Sequence, residues 1–585
     1  MEKGQVLLCN IAAYEENSYD SLGNFYLAAV LKKHGYDVSV FHKGAEEFVK
    51  LFDEHKDGIY AVGFTCYNDN QHLVSRLCKY VKKNSSVMVI VGGPQAISLE
   101  KAFFEESNCD FMIRGEGETA LVALLEAVAN KTDLRKVCGL VWVNQKNEVV
   151  VNKPSKVVEN LDDIPFPDYS LSLHKNRRYG NTIITGRGCP FSCAYCFKGY
   201  EDHKVRLRSI RNVMEEINRN LDNNPRISFI TICDDTFVIQ EDRIRQFCNE
   251  MKALRKRREI VWYCEAHTHL LQDKKDTLKQ MAESGCIRIQ IGTESGDPEV
   301  LQQYNKHTTP EIIKEVVCDI VEAGIPMIAT NFIIGGPNEA TAWQKSASLA
   351  EDLLEIAPGV IDISTGYLRA YPDTRITLNP EAFGLKIIKP FYEASKDYPN
   401  VMPADMTEEE MIIIMNRFNS RIGKKINRLV LENKVPIERI LRHVQFYKKY
   451  GIASIWYNAI CSRADWEAYY KTIDSGAMEV RQIPEDQLSC MRPQRTVELW
   501  KEASFEDEGR ATVCGLKLNP LAYDVLLMCS GKTVLADIAN ELFEKYKPHY
   551  QGKAAFEKEL MKQIFYLGEN HLIVIIWMEL VRQCI

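Results

Sequence analysis

No apolar run in the 585 residues approaches the ~18 that a membrane-spanning helix requires. The nearest candidate, Leu572 to Met578, is far too short and reads as a buried strand or helix end. Charge of one sign is not in excess either: 73 basic residues face 80 acidic ones, a net charge of -7, so no global field draws the chain onto nucleic acid or an anionic membrane. Only 32 glycines and 21 prolines occur, without repeats or low-complexity tracts, which excludes collagen-like and bulk-disordered organisation. No G-x-G-x-x-G fingerprint is present, so a nicotinamide dinucleotide is not indicated. The start, MEKGQVLLCN, has no signal peptide, so the 18 cysteines read as reduced cytosolic thiols or metal ligands, and a cytoplasmic location is expected.

The chain is about four times the ~150-residue domain prior, so three or four domains are expected. In the first 125 or so residues, short apolar runs (Gln5 to Ile11, Asp37 to Phe41, Ala61 to Thr65, Val87 to Val91, Phe111 to Arg114) alternate with amphipathic segments (Leu22 to His34, His72 to Lys82, Thr119 to Ala129). That alternation predicts an α/β fold with a doubly wound parallel, Rossmann-like sheet, whose ligands sit beyond the C-terminal strand ends. Those ends carry Gly92-Gly93-Pro94 and Gly115-Glu116-Gly117-Glu118, glycines that either admit a ligand or merely turn the chain. Short strands at Gly139 to Val143 and Val149 to Val151 are followed by a proline-paired stretch, Asp162 to Tyr169, so residues 1–150 form one unit and 151–178 a linker.

Alternation resumes over 179–385. Strands are expected at Asn181 to Thr185, Ile227 to Cys233, Ile260 to Glu265, Ile287 to Gly292, Met327 to Ile334 and Ile361 to Leu368, with helices between them. Six βα units in series predict a partial (β/α)6 barrel with its active site at the C-terminal strand ends. Residues 386–490 read as a helical region, and 491–585 as a small separate unit. Within that unit, strands are expected at Arg495 to Trp500 and Ala511 to Leu518, then helices at Pro520 to Cys529, Val534 to Tyr546 and Ala554 to Leu567.

The sharpest feature is Cys189, Cys193 and Cys196, spaced C-x3-C-x2-C in the loop after the first barrel strand. A random scatter of the cysteines gives that spacing roughly 0.02 times per chain, so chance does not account for it. Three thiolates at this spacing converge on one iron-sulfur cube and leave its fourth iron open to an exogenous ligand. A structural zinc site, with His203 as fourth ligand, is the alternative.

This motif, with Phe197 after the last cysteine, resembles the radical S-adenosylmethionine (radical SAM) superfamily. The likeness continues through the barrel segment: Asp234-Asp235-Thr236-Phe237 resembles D-D-x-F, Ile291 to Gly296 resembles I-G-x-E-S-G, Leu301 to Lys306 resembles L-x-x-x-x-K, and Ile333 to Pro337 resembles I-x-G-x-P. The resemblance implies a 4Fe-4S cluster on the three cysteines, whose open iron is chelated by S-adenosylmethionine. It also implies cofactor contacts at Phe197, Asp234, Asp235, Glu294, Ser295 and Lys306. Asp234 and Asp235 also read as helix caps, and Lys306 as a solvated surface lysine. Tyr371-Pro372-Asp373-Thr374 departs from the usual Y-P-G-T by an aspartate, which puts that turn in doubt. The arginine common near Ala266 is missing, so no ligand contact is assigned there.

Beside such a barrel, the N-terminal sheet is similar to the cobalamin-binding domain of one large radical SAM subclass. That similarity implies cobalamin contacts at Thr65, Gly92, Gly93, Gly115 and Glu116; a sheet that kept the fold and lost the cofactor is the alternative. No D-x-H-x-x-G is present, so no histidine is assigned as lower cobalt ligand. The C-terminal unit, with Gly531 to Ala539 as its turn and N-cap, resembles the winged-helix PqqD-like peptide-recognition domain, in which a leader peptide adds as a strand to an exposed sheet edge. A helical cap serving only packing is the other reading, and the absence of a basic recognition helix argues against nucleic acid.

Together these resemblances imply a cobalamin-dependent radical SAM enzyme that modifies a ribosomally synthesised peptide, methylating an unactivated carbon through methylcobalamin and a 5'-deoxyadenosyl radical. Expected partners are the precursor peptide and an electron donor such as flavodoxin or ferredoxin. The alternatives are a peptide cyclase or crosslinking enzyme using cobalamin in a non-methylating role, a methyltransferase of a small-molecule precursor, and a corrinoid-binding sensor with an inert barrel. No catalytic acid, base or nucleophile is assigned.

Overall fold

The computed structural model describes residues 4–12, 22–67, 70–154, 157–174, 180–197, 204–391, 398–452, 454–461, 469, 472–473, 475–497, 499, 503–505, 511–514 and 516–576. His203, weighed above as a zinc ligand, lies outside them. Among the described residues no helix is long and apolar enough to cross a membrane.

The N-terminal sheet runs β1 (Gln5–Ile11), α1 (Leu22–Lys33), β2 (Val38–Lys43), α2 (Ala45–His55), β3 (Ile59–Thr65), α3 (Gln71–Asn84), β4 (Met88–Gly92), α4 (Pro94–Ser107), β5 (Phe111–Ile113) and α5 (Gly117–Ala129). Strand order is β2-β1-β3-β4-β5, all parallel, as the alternation predicts. Period-2 alternation decides the two faces: Val6 and Leu8 pack with α1 and α5, whereas Leu7 and Cys9 pack with α2 and α3. Helices α2 and α4 lie outside the sequence expectations. The first buries Phe48 and Phe52, with Ala45 and Val49 packed beside them at i, i+3, i+4, i+7 spacing. The two strands expected after α5, β6 (Leu140–Val143) and β7 (Val149–Val151), extend the same sheet antiparallel, so its outer third is mixed. The stretch expected as a linker is tied back onto this sheet: Leu173 N donates to Val40 O at 2.9 Å, and the Tyr169 ring lies 4.8 Å from Phe25.

The second unit contains β8 (Gly180–Ile183), β9 (Gly186–Arg187), β10 (Arg206–Leu207), α6 (Ile210–Asn223), β11 (Phe229–Ile232), α7 (Glu241–Arg255), β12 (Val261–Ala266), α8 (Thr268–Leu271), α9 (Lys275–Glu283), β13 (Cys286–Glu294), α10 (Pro298–Gln303), α11 (Pro310–Glu322), β14 (Met327–Ile334), α12 (Glu339–Ile356) and β15 (Ile361–Tyr367). Strands β8, β11, β12, β13, β14 and β15 are all parallel and each neighbours its successor, the open six-stranded barrel that six serial βα units predict. Its lower end is covered by the helices Ile437–Tyr450 and Ile455–Cys461, with Trp456 Nε1 donating to Ile361 O at 2.7 Å, while the helix Glu408–Leu431 packs beside α12, its Phe418 ring 5.3 Å from Phe332.

At the C-terminus, two expectations need correction. Ala511 to Leu518 is a hairpin (Ala511–Val513, Leu516–Leu518) rather than one strand, because Cys514 takes a left-handed φ of 49°. The strand expected at Arg495 to Trp500 lies instead at Arg492–Arg495, where Ile573–Ile576 pairs with it and with Ala477–Met478. The sheet therefore reaches ahead of residue 491. Helices Pro520–Met528, Leu535–Tyr546 and Lys553–Glu569 pack around Leu526, Ile538 and Ile564.

Candidate active site

The cysteine loop leaves β9 through Gly188, whose φ is 87° and where a Cβ would stand 2.5 Å from Lys204 O; only glycine allows that turn. The loop is then fastened on several sides. Ala194 N donates to Tyr304 O at 2.8 Å, Ile376 N donates to Ala194 O at 3.2 Å, and Asn305 Nδ2 donates to Ser192 O and Oγ at 3.2 and 2.8 Å. Phe191 stacks on His267 with ring centroids 3.7 Å apart, and Phe197 on Tyr371 at 6.1 Å. Asp373 keeps that last turn by adopting φ 61° itself, so the aspartate does the work of the usual glycine. Cys189 and Cys193 are half-buried and Cys196 is exposed; burial pushes the Cys193 thiol up. Among the described residues no three His, Cys, Asp or Glu side chains converge closely enough to hold one metal ion. A cube makes a different demand, because each thiolate binds its own iron and the sulfurs ring the cluster.

Beside this loop, β13 ends in a bulge. Gly292 pairs with Asn331 and Glu294 with Phe332, leaving Thr293 extra, and Glu294 turns to φ 62°. The turn brings Glu294 Oε1 to 2.8 Å from Lys306 Nζ, which also lies 3.3 Å from the Tyr195 hydroxyl. Burial opposes the lysine's charge, but Glu294 and Cys193 outweigh it and hold its pKa above the ordinary value. Lys306 is 5% exposed, so it is not a solvated surface lysine. A Cβ on Gly292 would stand 2.2 Å from Glu294 Oε1 and 2.5 Å from Lys306 Nζ, so glycine there is what makes room for the pair. Ser295 is buried, with its hydroxyl 3.3 Å from Ser346 Oγ.

The two aspartates brace the approach to the loop. Thr185 donates to both oxygens of Asp234, from N at 2.6 Å and Oγ1 at 2.5 Å, while burial pushes that carboxyl up to about 6 against those bonds. Asp235 Oδ2 accepts from Gly188 N at 3.2 Å. Neither caps a helix: α7 starts after Gln240.

A cluster of buried charges joins this barrel to the N-terminal sheet. Glu116 has both oxygens occupied, Oε1 by Arg187 at 2.7 Å and Arg206 at 2.8 Å, Oε2 by Arg206 at 3.0 Å and Val158 N at 2.7 Å. Burial would raise its pKa, but Arg206 and Arg187 hold it below the usual carboxylate value. Arg187 also reaches Glu118 at 2.6 Å. Arg187, Arg206 and Tyr195 are not singled out by sequence; the signal available was an arginine two residues before Cys189.

Arg187 and Glu116 line one wall of a cleft of about 260 Å³ at the C-terminal ends of β3, β4 and β5, with Thr65, Gly92, Gly93 and Gly115. Gly93 has φ 98° and its Cβ would meet Cys66 O at 2.9 Å; Gly115 has φ 91°. Thr65 Oγ1 donates to Asn24 Oδ1 at 2.6 Å, while Asn24 Nδ2, on the same cleft, is buried with no partner. A buried donor left open in a glycine-lined cleft is a fit for the acceptor-rich tail of a bound cofactor.

Fold and site together define a class. Residues 11–125 match the B12 binding domain and residues 183–350 the radical SAM superfamily, so the chain carries both domains and is homologous to cobalamin-dependent radical SAM methyltransferases. The first domain implies cobalamin, the second a 4Fe-4S cluster and S-adenosylmethionine. An uncharacterized methyltransferase of Pyrococcus horikoshii is 27% identical over 456 residues, 75% of this chain and 94% of that protein. The anaerobic magnesium-protoporphyrin IX monomethyl ester cyclase of Cereibacter sphaeroides is 27% identical over 333 residues, 54% of this chain and 53% of the enzyme, about half its length. Among solved structures, the cobalamin-dependent S-adenosylmethionine radical enzyme OxsB, with aqua-cobalamin and S-adenosylmethionine bound, is 14% identical with a TM-score of 0.60, covering 97% of this chain and 84% of that one; at that identity the likeness is one of fold.

Proposed function

We propose that this chain methylates an unactivated carbon of a ribosomally made peptide, using a radical SAM centre and cobalamin, with the peptide's leader docked on the C-terminal unit. The observation that carries the reading is the charge bridge from the cleft to the cysteine loop, which supports two cofactor sites lying side by side. When bound, the cluster and S-adenosylmethionine supply a 5'-deoxyadenosyl radical, and cobalamin supplies a transferable methyl group. The chain supplies position. Cys189, Cys193 and Cys196 would hold the cluster, and the Glu294–Lys306 pair with Phe197, Asp235 and Ser295 would bind S-adenosylmethionine. Asp234 acts through Thr185 rather than by direct contact. Thr65, Gly92, Gly93 and Gly115 let the cobalamin tail approach the backbone, and Glu116 acts by holding Arg187. A cleft of about 260 Å³ is below the ~300 Å³ at which pockets for drug-sized ligands begin, so it would hold part of a bound cobalamin rather than all of it.

Support for a leader site comes from the meander Ala503–Phe505, Ala511–Val513 and Leu516–Leu518, followed by three helices. Leu516–Leu518 is the last strand of that meander, the kind of position to which an extended peptide can add. Radical SAM enzymes need an electron donor, here a flavodoxin or ferredoxin, and the oxygen lability of the cluster suits a reducing cytoplasm.

The test is mass spectrometry of a short peptide encoded beside the gene, after anaerobic incubation with enzyme, reductant, S-adenosylmethionine and cobalamin. A cobalamin-dependent gain of about 14 Da supports methylation. The similarity to a ring-forming cyclase favours a second reading, oxidative ring closure, which removes about 2 Da. An unchanged peptide beside active S-adenosylmethionine cleavage would point to a small-molecule substrate.

A further inference from the structure

Along the barrel strands, side chains alternate between the helices and the lumen. Ile289 and Ile291 of β13 and Cys264 of β12 are buried against the helices, so Glu265, Arg288 and Gln290 face inward. Glu265 pairs in register with Gln290, and Gln290 with Ala329, which pairs with Asp362. Below them the lumen is shut, with the Tyr450 ring 5.9 Å from Phe229 and Ile455 N donating to Asp362 Oδ1 at 3.0 Å. Among the described residues the row is thus covered from below and faces the mouth, where the cysteine loop lies.

This floor is polar and incompletely satisfied. Arg288 Nη2 stands 3.8 Å from Asp362 Oδ2, a charge contact too long for a hydrogen bond, and its Nε is buried with no partner. Its side chain is still 24% exposed, so a molecule in the lumen can reach it. No described residue donates a hydrogen bond to the Glu265 carboxylate; burial and Asp235 push its pKa up while Arg288 draws it down. A donor and an acceptor left open in a half-buried floor are costly unless a ligand completes them.

We infer that Glu265, Arg288 and Gln290 form a recognition floor for an amide of the substrate. The amide oxygen accepts from Arg288 and the amide N–H donates to Glu265. Other chemistries fail one side of this arrangement. A hydrocarbon leaves both groups stranded, a carboxylate or phosphate meets Arg288 but is repelled by Glu265 and Asp362, and an ammonium reverses the conflict. The amide is either a peptide bond or an Asn or Gln side chain. The inference rests on the radical SAM reading, which makes the barrel mouth the place where substrate reacts.

The test uses reconstituted full-length enzyme and four small probes, butanamide, N-methylbutanamide, methyl butanoate and butanoate, with binding followed by saturation-transfer NMR. Both the ester and the carboxylate are expected to bind roughly tenfold or more weakly than the better amide, as the loss of a hydrogen bond to a charged group implies. Preference for the primary amide marks a side-chain carboxamide, and preference for the secondary amide a peptide bond. Glu265→Leu is expected to erase the preference over the ester, and Arg288→Lys to weaken amide and ester alike, while circular dichroism stays native; Glu265→Gln, which keeps an acceptor oxygen, restores part of the preference. If Glu265→Leu does not fold, Glu265→Ala takes its place. Equal binding of ester and amide by the wild type, or a preference over the ester that survives in folded Glu265→Leu, overturns the inference. Failure of the wild type to cleave S-adenosylmethionine with reductant would instead overturn the reading beneath it, and the inference with it.

Discussion

Arg187 and Glu116 meet at 2.7 Å across the boundary between the N-terminal sheet and the barrel, with side chains only 18% and 8% exposed. Glu116 stands on the glycine turn that rims the cleft, and Arg187 stands two residues before Cys189. This ion pair, with Arg206–Glu116 and Arg187–Glu118 beside it, ties together two positions that sequence places 71 residues apart.

Breaking that pair leaves a buried carboxylate short of a partner. Arg187→Met is expected to destabilise the protein by about 3 kcal/mol, the low end for a broken buried pair because Arg206 still faces Glu116. Cobalamin affinity should fall with it. Urea unfolding and an absorbance titration with hydroxocobalamin check both, and an unchanged value in each would mean that the bridge is incidental.

Cys193→Ala is expected to lose bound iron and sulfide and to abolish 5'-deoxyadenosine formation. Cys490→Ala, at an exposed cysteine of the C-terminal unit, serves as control and should keep both. Iron and sulfide analysis after anaerobic reconstitution reads the difference, and retained cleavage in Cys193→Ala would end the radical SAM account.

Gly292→Ala places a methyl group 2.2 Å from Glu294 Oε1. Overpacking of this kind typically costs about 1–3 kcal/mol, and here it also drives Glu294 away from Lys306. S-adenosylmethionine affinity, followed by calorimetry, should drop while the cluster still assembles. An alanine variant that binds as the wild type does would remove the Glu294–Lys306 pair from the site.

Glu339 is buried and accepts from Gly335 N at 2.8 Å and Gly336 N at 2.9 Å, yet burial pushes its carboxyl from 4.5 up to about 7. A carboxyl whose folded pKa is raised favours folding while it is protonated. Its contribution is therefore complete below about pH 4.5 and is lost as pH rises through about 7, a change of the order of 3 kcal/mol. Relative to Glu339→Gln, the wild type should lose stability between pH 5 and 8. Parallel unfolding curves for the two proteins across that range would show that Glu339 titrates normally.

Much of the fold is legible in the sequence because it is periodic. The barrel strands and the helices between them fall within a few residues of their expected places, since parallel βα units repeat a buried strand and an amphipathic helix at regular spacing. The hairpin at Cys514 is not legible, because a single left-handed residue leaves almost no pattern, whereas α2 carries a legible stripe at Ala45, Phe48, Val49 and Phe52. In the site, the three cysteines and the glycine turns stand out through spacing and residue type. Arg187, Arg206, Arg288 and Tyr195 do not, because an arginine or tyrosine in isolation reads as an ordinary surface residue.

What the sequence determined by itself was the B12-binding and radical SAM pair of domains and the cofactors they imply, because cluster ligation and close backbone approach each demand particular residues at short range. Only the tertiary structure decided which charges are buried at the candidate site. Lys306 is buried by a bulge at Thr293, Glu116 is claimed by two arginines from another domain, and Arg288 is left with an open donor. Each depends on contacts tens of residues apart, where burial strengthens a pair or strands a group, and nothing in local sequence encodes that environment.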